Sequence, residues 1–371
     1  MLDTLTYLRR YVAWRPWSIQ DFRRFPGRTI KKAETPFLYP RATGDRVPRD
    51  VTYCHDGRPR TVGLDALLAE TGTTAFVVIE DGVVVRETYL NGYRRDSMTR
   101  SFSVTKSFTA ALIGIALADG AIRTLDDPFV DYVPELRGHG YDGITIRHLL
   151  LMAAGFRFTY GRFPWADDTL LYYHPDVRRL ILGGPPVEHG PGERFTYGNY
   201  STLVLGLVLE RVTGETISRY FERRLWQPIG AEYDALWSLD REHEGFEATT
   251  SGLNARPIDL VKLGTLYLSG GRWGDRQIFP QSWADASVTP PSTDLPGHSD
   301  EERAEGVYYK LGFWGHRLGE GRHRFYAHGY HGQFVYVCPE KRLVIARFGK
   351  RVGTVGRAWP MVLRGVADAM S

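Results

Sequence analysis

Cysteine is scarce in this chain, with only Cys54 and Cys338 among 371 residues. The two lie far apart, and no second cysteine stands close enough in sequence to either one to suggest a redox or zinc-binding pair. The first thirty residues also lack the continuous apolar stretch and the small-residue cleavage site of a secretory signal. We therefore expect two free thiols and a cytoplasmic protein, because disulfides persist mainly in oxidising compartments.

Long apolar runs and long runs of like charge are absent as well. No stretch reaches the roughly 18 apolar residues that a membrane-spanning helix needs. The net charge is only +4, so the sequence gives no reason to expect a nucleic-acid partner. What is present is an ordinary globular composition, 43% hydrophobic and 24% charged, which is enough to build a large core.

Positive charge is concentrated in the N-terminal arm, defined here as residues 1–60. Residues 1–35 contain eight basic and three acidic residues, and the apolar positions near helical spacing are Leu2, Leu5, Leu8 and Val12. A short amphipathic helix of this kind is compatible with contact to a membrane surface. We favour the alternative, in which the arm packs against a catalytic domain spanning residues 61–371.

The rest of the chain predicts a mixed α and β fold. Hairpins are expected over residues 75–90, with a turn at Asp81-Gly82, and over 334–346, before a closing helix over 355–370. Strands near both ends of a long chain indicate one antiparallel sheet built from two distant segments. Further helices are expected over 103–118, 145–152, 202–212 and 258–268, and loops rich in Gly, Pro and aromatics over 155–175, 183–196 and 290–305.

The segment Ser103-Val104-Thr105-Lys106 is the first candidate for chemistry. Residues three apart share a helix face, so the Ser103 hydroxyl and the Lys106 amine can point into the same space. By itself the pattern is weak, since roughly one match is expected by chance in a chain of this length. Its position at the start of an apolar helix strengthens it, because burial lowers the pKa of a lysine toward the range of a useful base.

Two further patches carry groups that suit acyl transfer. Tyr197-Gly198-Asn199 precedes an apolar helix, and a tyrosine there can shuttle protons while Asn199 holds the lysine or a substrate carbonyl. The same pattern is also typical of an ordinary tyrosine packed at a loop-to-helix junction. In His328-Gly329-Tyr330-His331-Gly332, the glycines permit close approach of a substrate, and the Tyr330 N–H is a candidate oxyanion donor.

The second of these patches has a rival interpretation as a metal site. His328 and His331 would need a third ligand, and no H-E-x-x-H motif or Cys/His cluster supplies one. We therefore expect neither a metal nor another cofactor.

Taken in order, these patches resemble the serine β-lactamase-like superfamily, in particular the branch of class C β-lactamases and family VIII carboxylesterases. The resemblance spans about residues 70–365. The matching stretches are 101–107, 145–150, 191–199, 225–230, 252–253 with 259–260, and 331–333 ahead of Pro339.

The resemblance implies a fold, a mechanism and a set of site residues. The fold is α+β, an antiparallel sheet flanked by terminal helices (about 61–120 and 250–371) joined to a mostly helical part (about 121–249). Ser103 is implied as nucleophile, Lys106 as its base and Tyr197 as the proton shuttle, with an oxyanion hole from the Ser103 and Tyr330 backbone. The matching motifs also place Asn199, His328, Gly329 and His331 among the substrate-binding residues. Apart from the resemblance, loop aromatics are candidates to shape an apolar substrate pocket, with core packing as the alternative: Tyr160, Phe163, Trp165, Tyr172 and Tyr173.

Two departures from the family pattern stand out, of which the first argues against β-lactamase activity and the second changes only local packing. The strand motif reads His328-Gly329-Tyr330, without the lysine that anchors a β-lactam carboxylate, and Met152-Ala153-Ala154-Gly155 replaces the usual His-Thr-Ser-Gly. We therefore expect a serine hydrolase, an esterase or amidase acting on a small molecule through an acyl-serine. The alternatives are a β-lactamase or D-alanyl carboxypeptidase, or a non-catalytic binding protein on the same scaffold. A homodimer is compatible with the sequence.

Overall fold

The computed structural model describes residues 2–55 and 57–370. In chain order its strands are β1 (Gly27–Ile30), β2 (Asp50–His55), β3 (Arg58–Gly63), β4 (Thr73–Glu80), β5 (Val83–Tyr89), β6 (Thr99–Arg100), β7 (Ala235–Ser238), β8 (Leu253–Ala255), β9 (Arg272–Trp273), β10 (Arg276–Gln277), β11 (Val307–Lys310), β12 (Phe313–Gly319), β13 (Arg322–Gly329), β14 (Gln333–Cys338) and β15 (Leu343–Gly349). The α-helices are α1 (Leu2–Ala13), α2 (Leu64–Glu70), α3 (Val104–Ala118), α4 (Ile146–Leu150), α5 (Asp167–Tyr173), α6 (Val177–Leu182), α7 (Tyr200–Thr213), α8 (Ile217–Phe221), α9 (Pro257–Leu260), α10 (Lys262–Leu268), α11 (Gln281–Val288), α12 (Asp300–Ala304) and α13 (Trp359–Ala369).

One antiparallel sheet of seven strands organises the molecule, in the order β11-β12-β13-β14-β15-β4-β5. The pairing of β15 with β4 joins the C-terminal meander to the early hairpin, as expected from strands at both ends of the chain. The predicted turn at Asp81-Gly82 is confirmed, and both residues have positive φ, as a tight hairpin turn with the right twist requires.

The two faces of this sheet belong to two different parts of the core. Alternation along β4 sends Phe76 and Val78 to a cluster shared with α2 and α13. Val77 and Ile79 face the opposite side, where α3 and α10 cover the sheet. The expected α+β fold, an antiparallel sheet flanked by terminal helices and joined to a mostly helical part, is confirmed.

Helix α3 is the buried centre of the fold. Every residue from Val104 to Ala116 is buried, and the helix ends at Ala118, just before Gly120, whose φ of +74° suits the residue after a helix C-cap. The predicted helix over 103–118 is thus confirmed, with Ser103 at its N-cap position.

Three expected elements differ from the structure. The predicted loop over 155–175 contains α5, and the predicted loop over 290–305 contains α12, which starts with a capping box between Ser299 and Glu302. The mainly helical segment 121–249 contains β7, which pairs in a small four-stranded sheet with the order β1-β7-β8-β6. Short helices and short strands carry little periodicity, so local pattern does not predict them.

The N-terminal arm packs against the body, but not through the face that its leucines suggest. Leu5, Leu8 and Val12 are 60%, 44% and 72% exposed, whereas Tyr7 and Arg10 are buried. Arg10 donates to the carbonyls of Tyr173 and Asp240, so polar contacts from the opposite face hold the helix. Strand β1 then pairs with β7.

The structure also bears on the predictions about the cysteines and about membrane-spanning helices. Cys54 and Cys338 are both free thiols, as predicted. Across residues 2–55 and 57–370, no helix combines the length and the apolar character needed to cross a membrane.

Candidate active site

The site begins at a constrained turn that leads into α3. Phe102 has φ of +48°, a conformation that is costly for a bulky residue and persists only where the surroundings impose it. The preceding Ser101 is tied to the carbonyl of Leu253 through its N–H at 3.0 Å and its hydroxyl at 2.8 Å. This turn presents Ser103 at the first turn of the helix.

Lys106 is 2% exposed and its amine faces the serine. Lys106 Nζ lies 3.3 Å from Ser103 Oγ, 2.7 Å from Asn199 Oδ1 and 3.4 Å from the Thr250 carbonyl oxygen. Burial lowers the pKa of Lys106 to about 7, and the carboxylate of Asp168 opposes that shift. A neutral amine is therefore well populated near neutral pH, within hydrogen-bond reach of the serine.

Asn199 links the lysine to a carboxyl group on α5. Its amide oxygen accepts from Lys106, and its Nδ2 lies 3.2 Å from Asp168 Oδ1. Burial raises the pKa of Asp168 to about 6, against the attraction of the Lys106 cation. Opposite shifts of the two pKa values show that the cleft floor disfavours charge of either sign.

Tyr197 lies against the same amine. Lys106 Nζ is 5.2 Å from the centroid of its ring, and the ring packs on Trp314 and Tyr309 at centroid distances of 5.2 and 5.6 Å. Burial raises the pKa of the Tyr197 phenol to about 12, while the Ser103 and Trp314 side chains oppose the rise. Near neutral pH the phenol keeps its proton, and Tyr197 lines the same cleft as Ser103.

The end of β13 closes the other side of the serine. A Cβ on Gly329 would lie 2.3 Å from the Ser101 carbonyl oxygen and 3.1 Å from Ser103 N, so only glycine permits this approach. Within the described part of the chain, neither the Ser103 nor the Tyr330 N–H donates to a protein acceptor. Ser103 and Tyr330, which both line the same cleft, thus each have a backbone N–H without a protein acceptor.

A cleft of about 250 Å³ opens in front of Ser103. Its walls are mainly aromatic, and the lining residues are Trp17, Phe102, Ser103, Phe158, Tyr160, Asp168, Tyr172, Tyr197, Gly198, Asn199, Ser251, His328, Gly329 and Tyr330. Four of the six residues expected to bind substrate, Tyr160, Asn199, His328 and Gly329, are therefore at the cleft.

The structure places the other two elsewhere. Trp165 is 76% exposed and stacks on Phe163, outside the cleft lining. His331 turns toward the N-terminal arm, where its Nε2 lies 3.0 Å from the Trp17 carbonyl oxygen. His328 instead stacks on Phe334 at 4.4 Å, and burial lowers its pKa to about 4. Residues 2–55 and 57–370 contain no cluster of three or more His, Cys, Asp or Glu suited to a metal ion.

Sequence reasoning did not single out several residues of the cleft, among them Asp168 and Trp17. Asp168 belongs to an Asp-Asp pair in the first turn of α5, where acidic residues are common for purely helical reasons. Trp17 lies far from every recognised motif, and no local pattern ties it to Ser103. Both reach the site only through the packing of distant segments.

The fold and the cleft together define the class, a protein of the serine-hydrolase type with a serine–lysine pair at the start of a central helix. Residues 64–363 match the family model described as Beta-lactamase, and the chain belongs to that family. The resemblance drawn from its motifs is thereby confirmed.

Individual relatives are hydrolases. The chain is 27% identical over 320 residues to the 6-aminohexanoate-dimer hydrolase of Paenarthrobacter ureafaciens, covering 83% of this chain and 80% of the relative. It is 29% identical over 184 residues to esterase EstB of Burkholderia gladioli, 46% of each chain. A Bacillus anthracis structure assigned to the 6-aminohexanoate-dimer hydrolases superposes with a TM-score of 0.81 at 22% identity, over 94% of this chain and 91% of that one, which supports the fold.

Proposed function

We propose that the chain hydrolyses a small amide or ester through an acyl-serine intermediate, in the manner of a carboxylesterase or of a 6-aminohexanoate-dimer hydrolase. The observation that carries the proposal is the buried amine of Lys106, 3.3 Å from Ser103 Oγ and with a pKa lowered to about 7. A lysine in that state accepts a proton at neutral pH, which is what a serine nucleophile requires.

In the acylation step Ser103 Oγ attacks the substrate carbonyl carbon and its proton passes to Lys106. The negative charge that develops on the carbonyl oxygen is stabilised by the N–H groups of Ser103 and Tyr330. Tyr197, which keeps its proton near neutral pH, gives that proton to the departing amine or alcohol and takes the proton held by Lys106 in its place. The bond to the leaving group breaks and the acyl group stays on Ser103.

In the deacylation step water takes the place of the leaving group. The Lys106–Tyr197 pair removes a proton from the water as it attacks the acyl carbon, and Ser103 leaves with that proton. Asn199 keeps the lysine oriented through the 2.7 Å hydrogen bond. The residues then return to their starting protonation states.

Ser103→Ala tests this proposal directly. We expect it to lower kcat/KM for p-nitrophenyl butyrate by at least about 10³-fold, because the nucleophile is gone. A fluorophosphonate should label the native chain at Ser103, as mapped by mass spectrometry, and should not label the variant.

Ser107→Ala provides the matched control. Ser107 lies one turn further along α3 and donates to the Gly312 carbonyl at 2.6 Å, away from the cleft. This variant should keep both labelling and turnover. Full turnover by Ser103→Ala, or labelling at another residue, would disprove the role of Ser103, and nitrocefin hydrolysis rivalling the best ester would favour the β-lactamase alternative.

A further inference from the structure

The N-terminal arm contributes a side chain to the cleft although it precedes the residues matched by the family model. Trp17 lines the cleft, whereas the match begins at residue 64. Its ring centroid lies 5.1 Å from that of Tyr172 and 5.3 Å from that of Tyr330. Trp17 thus packs against two aromatic residues that line the same cleft as Ser103.

Several contacts hold the backbone around Trp17 in place. The Trp17 carbonyl accepts from His331 Nε2 at 3.0 Å, and the Ile19 carbonyl accepts from Arg100 N–H at 2.9 Å. Asp21, fully buried, accepts from the Ser18 N–H at 3.0 Å and from the Tyr172 hydroxyl at 2.6 Å. The ring is therefore part of a fixed wall, since its backbone is tied to both neighbouring segments.

Helix α1 also holds a second part of the cleft edge, the rim formed by residues 160–164. The Tyr11 hydroxyl donates to the Arg162 carbonyl at 3.1 Å, and the Tyr7 hydroxyl donates to the Pro164 carbonyl. These bonds fix the segment that begins at Tyr160, which lines the cleft and whose hydroxyl donates to the Tyr197 carbonyl. The arm thus reaches the cleft through Trp17 and supports this rim through α1.

From this geometry we infer that the N-terminal arm completes the substrate site, with Trp17 as a specificity-determining residue for an apolar alkyl or aryl group of the substrate. The rest of the wall has matching chemistry, because Phe102, Phe158, Tyr160, Tyr172 and Tyr330 also line the cleft. The flat face of a partly buried indole binds apolar groups well, because packing an apolar group against it removes apolar surface of both from water. Tyr7 and Tyr11 are positioning residues for the rim.

This inference rests on the proposed hydrolysis and is tested with Trp17→Ala. One series of substrates keeps p-nitrophenol and lengthens the acyl group from acetate to octanoate. A second series keeps the acetyl group and compares ethyl with benzyl acetate. In at least one series, kcat/KM for the larger substrate should fall about tenfold more than for the smaller one, mainly through KM, and Trp17→Phe should restore part of the loss. The series that responds shows whether the acyl group or the alcohol lies against Trp17.

Trp14→Ala is the matched control. Trp14 is an equally half-buried tryptophan of the arm that packs on Phe25 at 4.9 Å and does not line the cleft. The Trp14→Ala variant should leave the ratio of kcat/KM for the larger substrate to kcat/KM for the smaller one unchanged. The inference would be overturned if Trp17→Ala lowered kcat/KM by the same factor for every substrate. It would also be overturned if Trp14→Ala changed the ratio of kcat/KM values as much as Trp17→Ala does.

A double variant tests the positioning residues. Tyr7→Phe combined with Tyr11→Phe keeps both rings and removes both hydroxyls, so amide hydrogen exchange over residues 159–166 should quicken and KM for octanoate should rise. Unchanged exchange and unchanged KM would refute the role of the arm at this rim.

Fluorophosphonate labelling separates failure of this inference from failure of the proposed function. If Ser103 is labelled and acetate is hydrolysed but neither ratio responds to Trp17→Ala, the inference fails and the hydrolase proposal stands. If the native chain is not labelled at Ser103 and hydrolyses no ester, both fail.

Discussion

Two groups near Ser103 have pKa values moved toward each other by the same cause. Burial lowers the pKa of Lys106 to about 7 and raises that of Asp168 to about 6, and each charge partly stabilises the other. Because Lys106 must be neutral to accept the serine proton, activity should increase as the pH rises through about 7. The acid limb of the pH–rate profile therefore reports the protonation state of Lys106 and Asp168 together.

Asp168→Asn should shift that acid limb to lower pH. The Asp168 carboxylate raises the pKa of Lys106, so its removal lets burial lower the lysine pKa further. The measurement is kcat/KM for p-nitrophenyl butyrate from pH 5 to 9. Asp131→Asn, at a carboxylate paired with Arg123 and Arg137 away from the cleft, should leave the limb in place. An unmoved or raised limb in Asp168→Asn would contradict the coupling.

Residue-scale prediction succeeded where the chemistry is encoded by local spacing. Ser103 and Lys106 are three apart on a helix that the sequence itself predicts, so their convergence follows from helix geometry. Asp168 lies 62 residues from Lys106, and Trp17 lies 86 residues from Ser103. A separation of that length along the sequence does not tell whether two residues lie close together in the folded chain.

At the scale of elements, α3 shows how packing overrides intrinsic preference. Gly114 lies in the middle of this helix, where glycine costs about 1 kcal/mol relative to alanine. A Cβ there would meet the Trp283 ring at 2.3 Å, and Trp283 is buried, with its Nε1 donating to the Tyr267 hydroxyl at 3.2 Å. Glycine is needed at position 114 because the Trp283 indole occupies the space that a side chain would fill.

Gly114→Ala should therefore destabilise the protein despite the better helix former. Overpacking of a rigid core typically costs about 1–3 kcal/mol, and the gain in helix propensity offsets about 1 kcal/mol of it, so we expect a net loss of up to about 2 kcal/mol in the free energy of unfolding. Urea denaturation measures it. In a Trp283→Leu background the same substitution should be neutral or stabilising, because the smaller side chain leaves room. A loss of equal size in both backgrounds would rule out the proposed clash.

Element prediction was accurate for long or strongly patterned segments and failed for short ones. The hairpin around Asp81-Gly82 and the helices α3 and α7 follow from turn chemistry and apolar runs. The predicted helix over 258–268 is divided at Val261 into α9 and α10. Helix α5, seven residues long, depends on bonds between Thr159 and Asp167 that join separate parts of the loop.

At the scale of the whole molecule, one buried arginine joins distant parts of the chain. Arg347 on β15 is fully buried and donates to the carbonyls of Thr71, His331, Gly332 and Arg351 at 2.7–2.9 Å. It also donates to the Thr73 hydroxyl at 3.0 Å and stacks over the Trp359 ring at 4.3 Å. The start of β4, the turn beside Tyr330 and helix α13 all meet at this guanidinium.

Arg347→Met should lower the free energy of unfolding by about 3 kcal/mol or more, since it leaves several buried carbonyls without a donor. Urea denaturation followed by tryptophan fluorescence measures the change. Arg342→Met, at a side chain that is 60% exposed and paired with Asp81, should cost within about 1 kcal/mol. A similar loss in the free energy of unfolding for both variants would show that Arg347 does not join these parts of the chain.

The amino-acid order alone was enough to locate the proposed nucleophile, its proposed base and the elements that carry them, because a hydroxyl and an amine one helical turn apart meet wherever that helix forms. Tertiary structure was needed for the properties on which the proposed reactivity and selectivity depend. The low pKa of Lys106 comes from burial beside Asn199 and Thr250, and the shape of the cleft comes from Trp17 and Tyr172. Desolvation and the approach of distant segments depend on how the whole core packs, which no short stretch of sequence encodes.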